Sequence, residues 1–419
     1  MQERVILGGG LVFICDEDFS INRDYGVLIE GGKISQVAPF SELKNAFPNI
    51  KAVFKEDCVL LPALINAHIH FEFSNNVASF AYGDFGRWLD SVIAKRDDVL
   101  GDITQSIKRA ITQQLQSGVG SVGAISSYGY DLALLAHSPL RVVYFNEAMG
   151  SNPSALDTLF ANLKARIADS KSYQSHTFTP AVALHSPYSL HNVFAKHALE
   201  LAKELQTPVS AHFLESKHER EWLDCKSGYF YDFFAKTFGV KNPVPFFSAQ
   251  SFLAQFDEMR ALFTHCLYAT HDELTHIAQN SHSVVICPRS NRLLCNTYFA
   301  LQDAPKSLNI AIGTDGKSSN NSVDILEELR SALFGYVDLD LYWLAKKLLL
   351  SATNAGGKAL GIESGELKEG KNADIAFFKI PEVAQSKDIS QATLHFILQA
   401  RWAESLYIAG REVLGKQES

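Results

Sequence analysis

The chain has 419 residues, 47% hydrophobic and 20% charged, with a formal net charge of -8. This composition excludes a largely disordered chain, and an acidic balance without any basic run argues against nucleic acid as a partner. The length suffices for one large and one smaller domain that bury their own cores without disulfides. The six cysteines (Cys15, Cys58, Cys225, Cys266, Cys287, Cys295) form no CxxC pair, so they read as free thiols of a reducing cytoplasm.

The apolar stretch 5–15 is broken by Gly8, Gly9 and Gly10 and followed by Asp16-Glu17-Asp18. It therefore reads as strand, turn and strand rather than a signal peptide. Further strand-like runs occupy 25–30, 33–37 and 52–61, and near the C-terminus 374–379 and 405–408. Both chain ends, 1–61 and 362–419, are thus expected to form one small β-sandwich domain around a different middle. No run of about 18 or more apolar residues suggests a membrane span. A cytoplasmic location is the expectation.

The middle, 62–361, alternates strands with amphipathic helices. Ile103, Ile107, Ala110, Ile111 and Leu115 recur at helical spacing across 102–117, and Gly118 suits the C-terminal cap. Phe194, Ala198, Leu201, Ala202 and Leu205 do the same across 192–206, before Pro208 and the strand Val209-Ser210-Ala211-His212. Strand–helix alternation over some 300 residues predicts a parallel α/β architecture, with a (β/α)8 barrel preferred because such barrels present their active residues at strand C-termini. A doubly wound sheet is the alternative, but no GxGxxG follows a strand, which also argues against a dehydrogenase.

The candidate chemistry sits at those strand ends. His68 and His70 stand two apart after Leu64-Ile65-Asn66, so both imidazoles can reach one ion. A pair of hydrogen-bonded histidines at a barrel end is the plainer reading of that motif alone. His212 ends another apolar run and offers a third nitrogen; three such ligands and a water make a catalytic zinc site. Asp315, in Gly313-Thr314-Asp315-Gly316, delivers a carboxylate at the mouth, although aspartate before glycine is also common turn chemistry. Glu215 lies three residues beyond His212, where a carboxyl can carry a proton between water and substrate; nearby Lys217, His218, Glu219, Arg220 and Glu221 equally fit a solvated loop. His265 and His185 each end an apolar run and, taken singly, read as core histidines.

Together these residues resemble the amidohydrolase superfamily. Pro62-Ala63-Leu64-Ile65-Asn66-Ala67-His68-Ile69-His70 is similar to its opening motif. His185-Ser186-Pro187-Tyr188, His212-Phe213-Leu214-Glu215-Ser216, His265 and Gly313-Thr314-Asp315-Gly316 follow the pattern of its adenosine- and chlorohydrolase-type branch. The stretch 365–375 resembles the return of the chain into that family's small β-domain. The resemblance implies one zinc, or ferrous iron, held by His68, His70, His212 and Asp315, with Glu215, His265 and Asp315 catalytic and His185 near the ribose. No lysine lies in the strand before His185, consistent with a one-metal site.

A narrower likeness is carried by Phe71-Glu72-Phe73-Ser74-Asn75-Asn76, by Tyr82-Gly83-Asp84-Phe85 with Trp88, by 118–126, and by Cys287-Pro288-Arg289-Ser290-Asn291-Arg292-Leu293-Leu294. These segments resemble the bacterial aminofutalosine deaminases of an alternative menaquinone route. Their substrate is an adenosine extended by a ketone and a benzoate, and its carboxylate would suit a guanidinium, so Arg292 or Arg289 is the candidate reader. Glu72 and Trp88 are further substrate-contact candidates, and Tyr82, Phe85 and Trp88 form either an aromatic wall or a helix face packed into the core. Zinc-dependent deamination of aminodeoxyfutalosine is the expected activity. Alternatives are deamination of adenosine, S-adenosylhomocysteine or methylthioadenosine, hydrolysis of a chloro- or amino-heterocycle, and a barrel that only binds. A homodimer remains open as the one macromolecular partner.

Overall fold

The computed structural model describes residues 4–95 and 103–415, so the first expected residue of the helix over 102–117 lies outside the described residues. Two eight-stranded sheets account for all its strands. In the first, β1 (Arg4–Phe13), β2 (Ile21–Arg23), β3 (Tyr25–Glu30), β4 (Lys33–Pro39) and β5 (Lys51–Pro62) from the N-terminal end join β14 (Ile375–Lys379), β15 (Ser405–Ile408) and β16 (Arg411–Leu414). β14 pairs antiparallel with β5, so the chain returns beside the strand on which it left.

Leu7, Val27, Ile29, Leu60, Ile375 and Phe377 share one buried cluster, although they come from strands of a single hydrogen-bonded sheet. They do so as cross-strand neighbours on one face, Leu7 opposite Val27 and Leu60 opposite Phe377. The turn between β3 and β4 closes it: Gly32 O accepts from Ala373 N (3.0 Å). Gly32 adopts φ 79°, and a Cβ there would stand 2.9 Å from Ala409 O, so both conformation and clearance favour glycine.

The second sheet runs β6 (Leu64–Ile69), β7 (Val119–Ser126), β8 (Arg141–Ala148), β9 (Phe178–Leu184), β10 (Val209–Phe213), β11 (Ala261–His265), β12 (Ser283–Ile286) and β13 (Asn309–Ile312), with each strand parallel to the next. Period-2 alternation divides its residues. Ile65, Ala67, Ile125, Val143, Phe145, Ala181, Ala183, Leu262, Val285 and Ala311 fill the barrel interior. Val122, Val142, Val182, Val209, Phe263, Ile286 and Ile312 pack outward with the helices. The expected (β/α)8 barrel with a small β-domain from both chain ends is therefore what the chain forms.

Closure of the barrel falls beside the functional residues. Thr314 N and Asp315 N both donate to His68 O, at 3.1 and 3.0 Å. Asn66, fully buried, clamps the same seam by accepting from Thr314 N (3.1 Å) and donating to Thr314 Oγ1 (2.8 Å). Gly313 permits this approach, since a Cβ at that position would come within 2.7 Å of His68 O. Among the described residues no helix is long and apolar enough to cross a membrane.

Candidate active site

Alternation carries some of the predicted residues into the mouth without further help. His212 shares the inward register of Ser210, and His185 follows Ala181 and Ala183. Two others need a local irregularity. His265 has the register of Ala261 and Phe263, which face outward, and a φ of 76° turns it the other way. A register shift between Asn66 and Ile69 likewise separates the inward Ala67 from the outward Ile69 and lets His68 face the mouth. Asp315 too holds a left-handed backbone, at φ 59°. Such conformations cost about 1–3 kcal/mol each in non-glycine residues, and they cluster where geometry serves a site.

The outcome is a tight group of donor atoms. His70 Nε2 lies 3.2 Å from His68 Nε2 and 3.4 Å from His212 Nε2. Asp315 Oδ1 lies 3.5 Å from His70 Nε2 and 3.9 Å from His68 Nε2. Zinc–nitrogen bonds of about 2.0–2.1 Å in tetrahedral geometry put neighbouring ligand atoms about 3.3–3.4 Å apart, so these spacings fit one such ion. The outer partners fit as well. His212 Nδ1 donates to His185 O (2.8 Å), which leaves the lone pair on Nε2, and His68 Nδ1 pairs with Thr264 Oγ1 (3.1 Å). The Nε2 lone pair of His212 faces His70 Nε2 across 3.4 Å in a buried site, where one cation could be shared by both nitrogens.

Electrostatics point the same way. Burial, reinforced by His212 and His70, holds His68 well below the usual imidazole range, and burial with His185 takes His212 down to about 3. Both rings are therefore neutral, the form that ligates. Burial opposes ionisation of Asp315, but His70, His265, His68 and His212 together hold its carboxyl well below the ordinary value. Oδ2 of Asp315 accepts from Ser290 Oγ and Ser319 Oγ, each at 2.8 Å, and Oδ1 accepts from Gly316 N (2.7 Å).

Glu215 is the opposite case. Burial first, then Asp315 and Glu219, push its carboxyl well above the ordinary glutamate range, which favours the protonated acid. Its Oε1 is 3.5 Å from His265 Nε2, a buried atom with no hydrogen-bond partner, while His265 Nδ1 is held by Asn291 Oδ1 (2.8 Å). A neutral acid and an unprotonated imidazole nitrogen thus face each other beside the donor cluster. His185 pairs through Nδ1 with Ser189 Oγ (2.6 Å), and its ring centroid lies 5.2 Å from that of His212.

The arginines and Glu72 are placed otherwise than the sequence suggested. Arg289 is buried and committed: its guanidinium meets Glu327 (2.8 Å), Glu328 (3.8 Å) and Asn321. Arg292 is exposed and bonds to Asn296 one turn along its own helix. Arg289 is satisfied by neighbours that a motif does not reveal, whereas Arg292 keeps most of its guanidinium in solvent. Glu72 is fully buried and accepts from the backbone N–H groups of Ser127, Tyr128 and Tyr130 (2.8–3.2 Å), so it anchors the loop after β7. Trp88 is half-buried and donates from Nε1 to Ser318 O (3.0 Å), tying the helix Phe85–Ala94 to the loop beyond Asp315. Phe85 faces Tyr188 and Phe230, in the core.

Residues not anticipated also converge here. Glu147 has the inward register of Val143 and Phe145, and its buried Oε1 lies 3.9 Å from His212 Nδ1 without a hydrogen-bond partner. That register was the signal for it. Glu219 accepts from Ser186 Oγ (2.9 Å) and from Glu215 N (3.0 Å), so one carboxylate braces both the His185 loop and the backbone of Glu215.

Comparison with known proteins places this geometry. The amidohydrolase family profile matches residues 59–413. An aminodeoxyfutalosine deaminase of a Nitratiruptor species is 41% identical over 381 residues, covering 91% of this chain and 93% of the relative. An adenosine deaminase of Helicobacter pylori is 39% identical and covers 99% of this chain and 100% of that protein. Among solved structures, Helicobacter pylori aminofutalosine deaminase in complex with methylthio-coformycin superposes with a TM-score of 0.92 at 37% identity, covering 98% of this chain and 100% of that one. This chain belongs to the amidohydrolase family.

Proposed function

We propose that the protein is a hydrolytic deaminase that converts the adenine ring of 6-amino-6-deoxyfutalosine to hypoxanthine with release of ammonia. One observation carries the reading: a buried glutamic acid, Glu215, kept neutral by its surroundings, stands beside a donor cluster fit for a single zinc ion. His68, His70, His212 and Asp315 would hold that ion, which when bound supplies hydroxide from water near neutral pH.

The chain's own groups supply the rest. Glu215 delivers its proton to ring N1, which makes C6 electrophilic and drives attack there. An Asp315 oxygen takes the proton released by the attacking water; the surrounding histidines keep this carboxylate ionised and Ser290, Ser319 and Gly316 fix its orientation. His265 Nε2, with its ring oriented by Asn291, is an unprotonated nitrogen placed to accept a hydrogen bond from the attacking water and so orient it. Proton return to the amino group then expels ammonia. His185, anchored by Ser189, stands beside His212 where a sugar hydroxyl would reach it.

Support for the extended substrate comes from relatives named for it, at 41% identity in sequence and a TM-score of 0.92 in structure. The 39%-identical protein named adenosine deaminase supports a second reading, in which the far end of the nucleoside is not required. The two are separated by following ammonia release and the adenine-to-hypoxanthine absorbance change on aminodeoxyfutalosine, adenosine, S-adenosylhomocysteine and methylthioadenosine. The proposal expects aminodeoxyfutalosine to have the highest kcat/KM. Preference for another adenosine would keep the chemistry and discard the substrate, and inactivity on all four with zinc bound would remove deamination of adenosines.

A further inference from the structure

Buried polar groups fix the loop after β7 far more firmly than a surface connection requires. Glu72 accepts from the backbone N–H groups of Ser127, Tyr128 and Tyr130. Ser126 Oγ accepts from Gly129 N (3.1 Å) and donates to Asp131 Oδ1 (2.7 Å), which also accepts from Tyr144 OH (2.8 Å). The Arg166 guanidinium donates to Ser126 O (3.0 Å) and Glu147 O (2.6 Å), so it ties the ends of β7 and β8 together. Glu72, Ser126, Asp131 and Tyr144 are fully buried. Taking such groups out of water costs free energy that hydrogen bonds must offset, and here those bonds converge on one short loop.

What the loop holds out is a pair of rings. Gly129 takes φ 87°, a left-handed conformation that lets the residues on either side of it lie together. The Tyr128 and Tyr130 rings stack, with centroids 5.8 Å apart and planes 16° from parallel. Tyr130 is 60% exposed, so the stack is open on its outer side. The loop also stands beside the donor cluster. Ser127 Oγ donates to Glu147 Oε2 (2.5 Å), and the other oxygen of Glu147 lies 3.9 Å from His212 Nδ1. Because β7, β8 and β9 are consecutive in the barrel, the rings occupy the rim on the side of His185.

We infer that Tyr130, stacked on Tyr128, is the shelf for the aromatic arm of the substrate and distinguishes an aryl-bearing nucleoside from plain adenosine. The inference rests on the deaminase reading above. His185 stands where the sugar would lie, so a group extended from the sugar meets the rim two strands away, at β7. A benzene ring that carries a ketone and a carboxylate is electron-poor, and a tyrosine phenol is electron-rich. Such rings favour offset stacking over each other. Behind the loop, three buried carboxyls (Glu72, Asp131 and Glu147) face one guanidinium, Arg166, which makes that wall unfavourable for a further carboxylate. The carboxylate of the arm therefore projects past Tyr130 into solvent, and stacking rather than ion pairing discriminates.

Steady-state kinetics of the zinc-loaded enzyme test this on aminodeoxyfutalosine, on its analogue without the carboxylate, and on adenosine. Tyr130→Ala should raise KM about tenfold for both aryl substrates, keep their kcat within about twofold, and leave adenosine unchanged. Tyr130→Phe, which keeps the ring, should match the wild type. Tyr130 is exposed, so neither change disturbs the core. Equal losses on all three substrates, or none on the aryl pair, overturn the inference, while a wild-type preference for aminodeoxyfutalosine preserves the substrate reading. A loss confined to the carboxylate-bearing substrate overturns it too, because it would mark a charge contact. A wild type with no preference for aryl substrates removes both that reading and the shelf.

Discussion

The strand ends that carry the donor cluster and the helix Pro288–Cys295 beside them both line the mouth of the barrel, yet they differ in what fixes their side chains. At the strand ends, register and the barrel's parallel order aim His212 and His185 inward, and a left-handed turn just beyond a strand adds Asp315 to them. On the helix, Ser290 and Asn291 reach the cluster, whereas Arg289 turns to Glu327 and Glu328 and Arg292 stays in solvent. The first region is built by geometry that a sequence encodes locally, whereas in the second Arg289 is held by partners that arrive from more than 30 residues away. Substitutions should therefore act on chemistry in the first region and on stability, or on nothing, at the two arginines of the second.

The largest effect is expected for Asp315→Asn. The amide keeps the size but removes the charge and one oxygen from the cluster, so zinc affinity should fall by more than about a hundredfold and activity with it. Metal titration against a chromophoric chelator checks this, and wild-type affinity would break the comparison from the strand side. Next is Arg289→Ala, which removes a buried side chain together with its bonds to Glu327 and Asn321, a loss of about 1–3 kcal/mol. Chemical denaturation should show that loss, while KM for adenosine and for the carboxylate-bearing substrate change alike. A selective loss on the latter would return Arg289 to substrate recognition.

A pH effect comes next in size. Burial pushes Glu328 up to about 8 from an ordinary 4.5, so the folded protein keeps a proton that the unfolded chain releases. Stability from this group is full below about pH 4.5 and is lost as pH rises through 8. Glu328→Gln should remove that slope, so its melting temperature should fall less between about pH 5 and pH 9 than that of the wild type. Parallel pH profiles would show that Glu328 ionises normally in the fold. The smallest effect is expected for Arg292→Ala, which should change stability by no more than about 0.5 kcal/mol. It should also leave KM for aminodeoxyfutalosine unchanged.

The same contrast explains what the sequence made legible. The parallel barrel and the return of the C-terminal strands beside β5 follow from strand–helix alternation and turn punctuation. His68, His70, His212, His265 and Asp315 were visible as polar residues closing apolar runs. Glu147 was legible in principle, since it continues the inward series of Val143 and Phe145. Glu219 was not, because its value lies in bonds to Ser186 and to the backbone of Glu215, which only the folded chain brings within reach. The inward turn of His265 depends on a left-handed backbone at a non-glycine residue, which local sequence rules disfavour. Glu72 was misread as a substrate contact because three backbone donors of a loop 55 to 58 residues away capture it.

The central claim is that Glu215 moves the proton while its neighbours hold the metal. Its most direct test measures zinc content and single-turnover deamination of Glu215→Gln beside the wild type on aminodeoxyfutalosine. The account predicts one equivalent of zinc in both proteins and a rate lowered by about 10²–10⁴-fold in the variant, the range that a lost general acid accounts for. A variant that turns over at the wild-type rate, or one that loses its zinc, would contradict it.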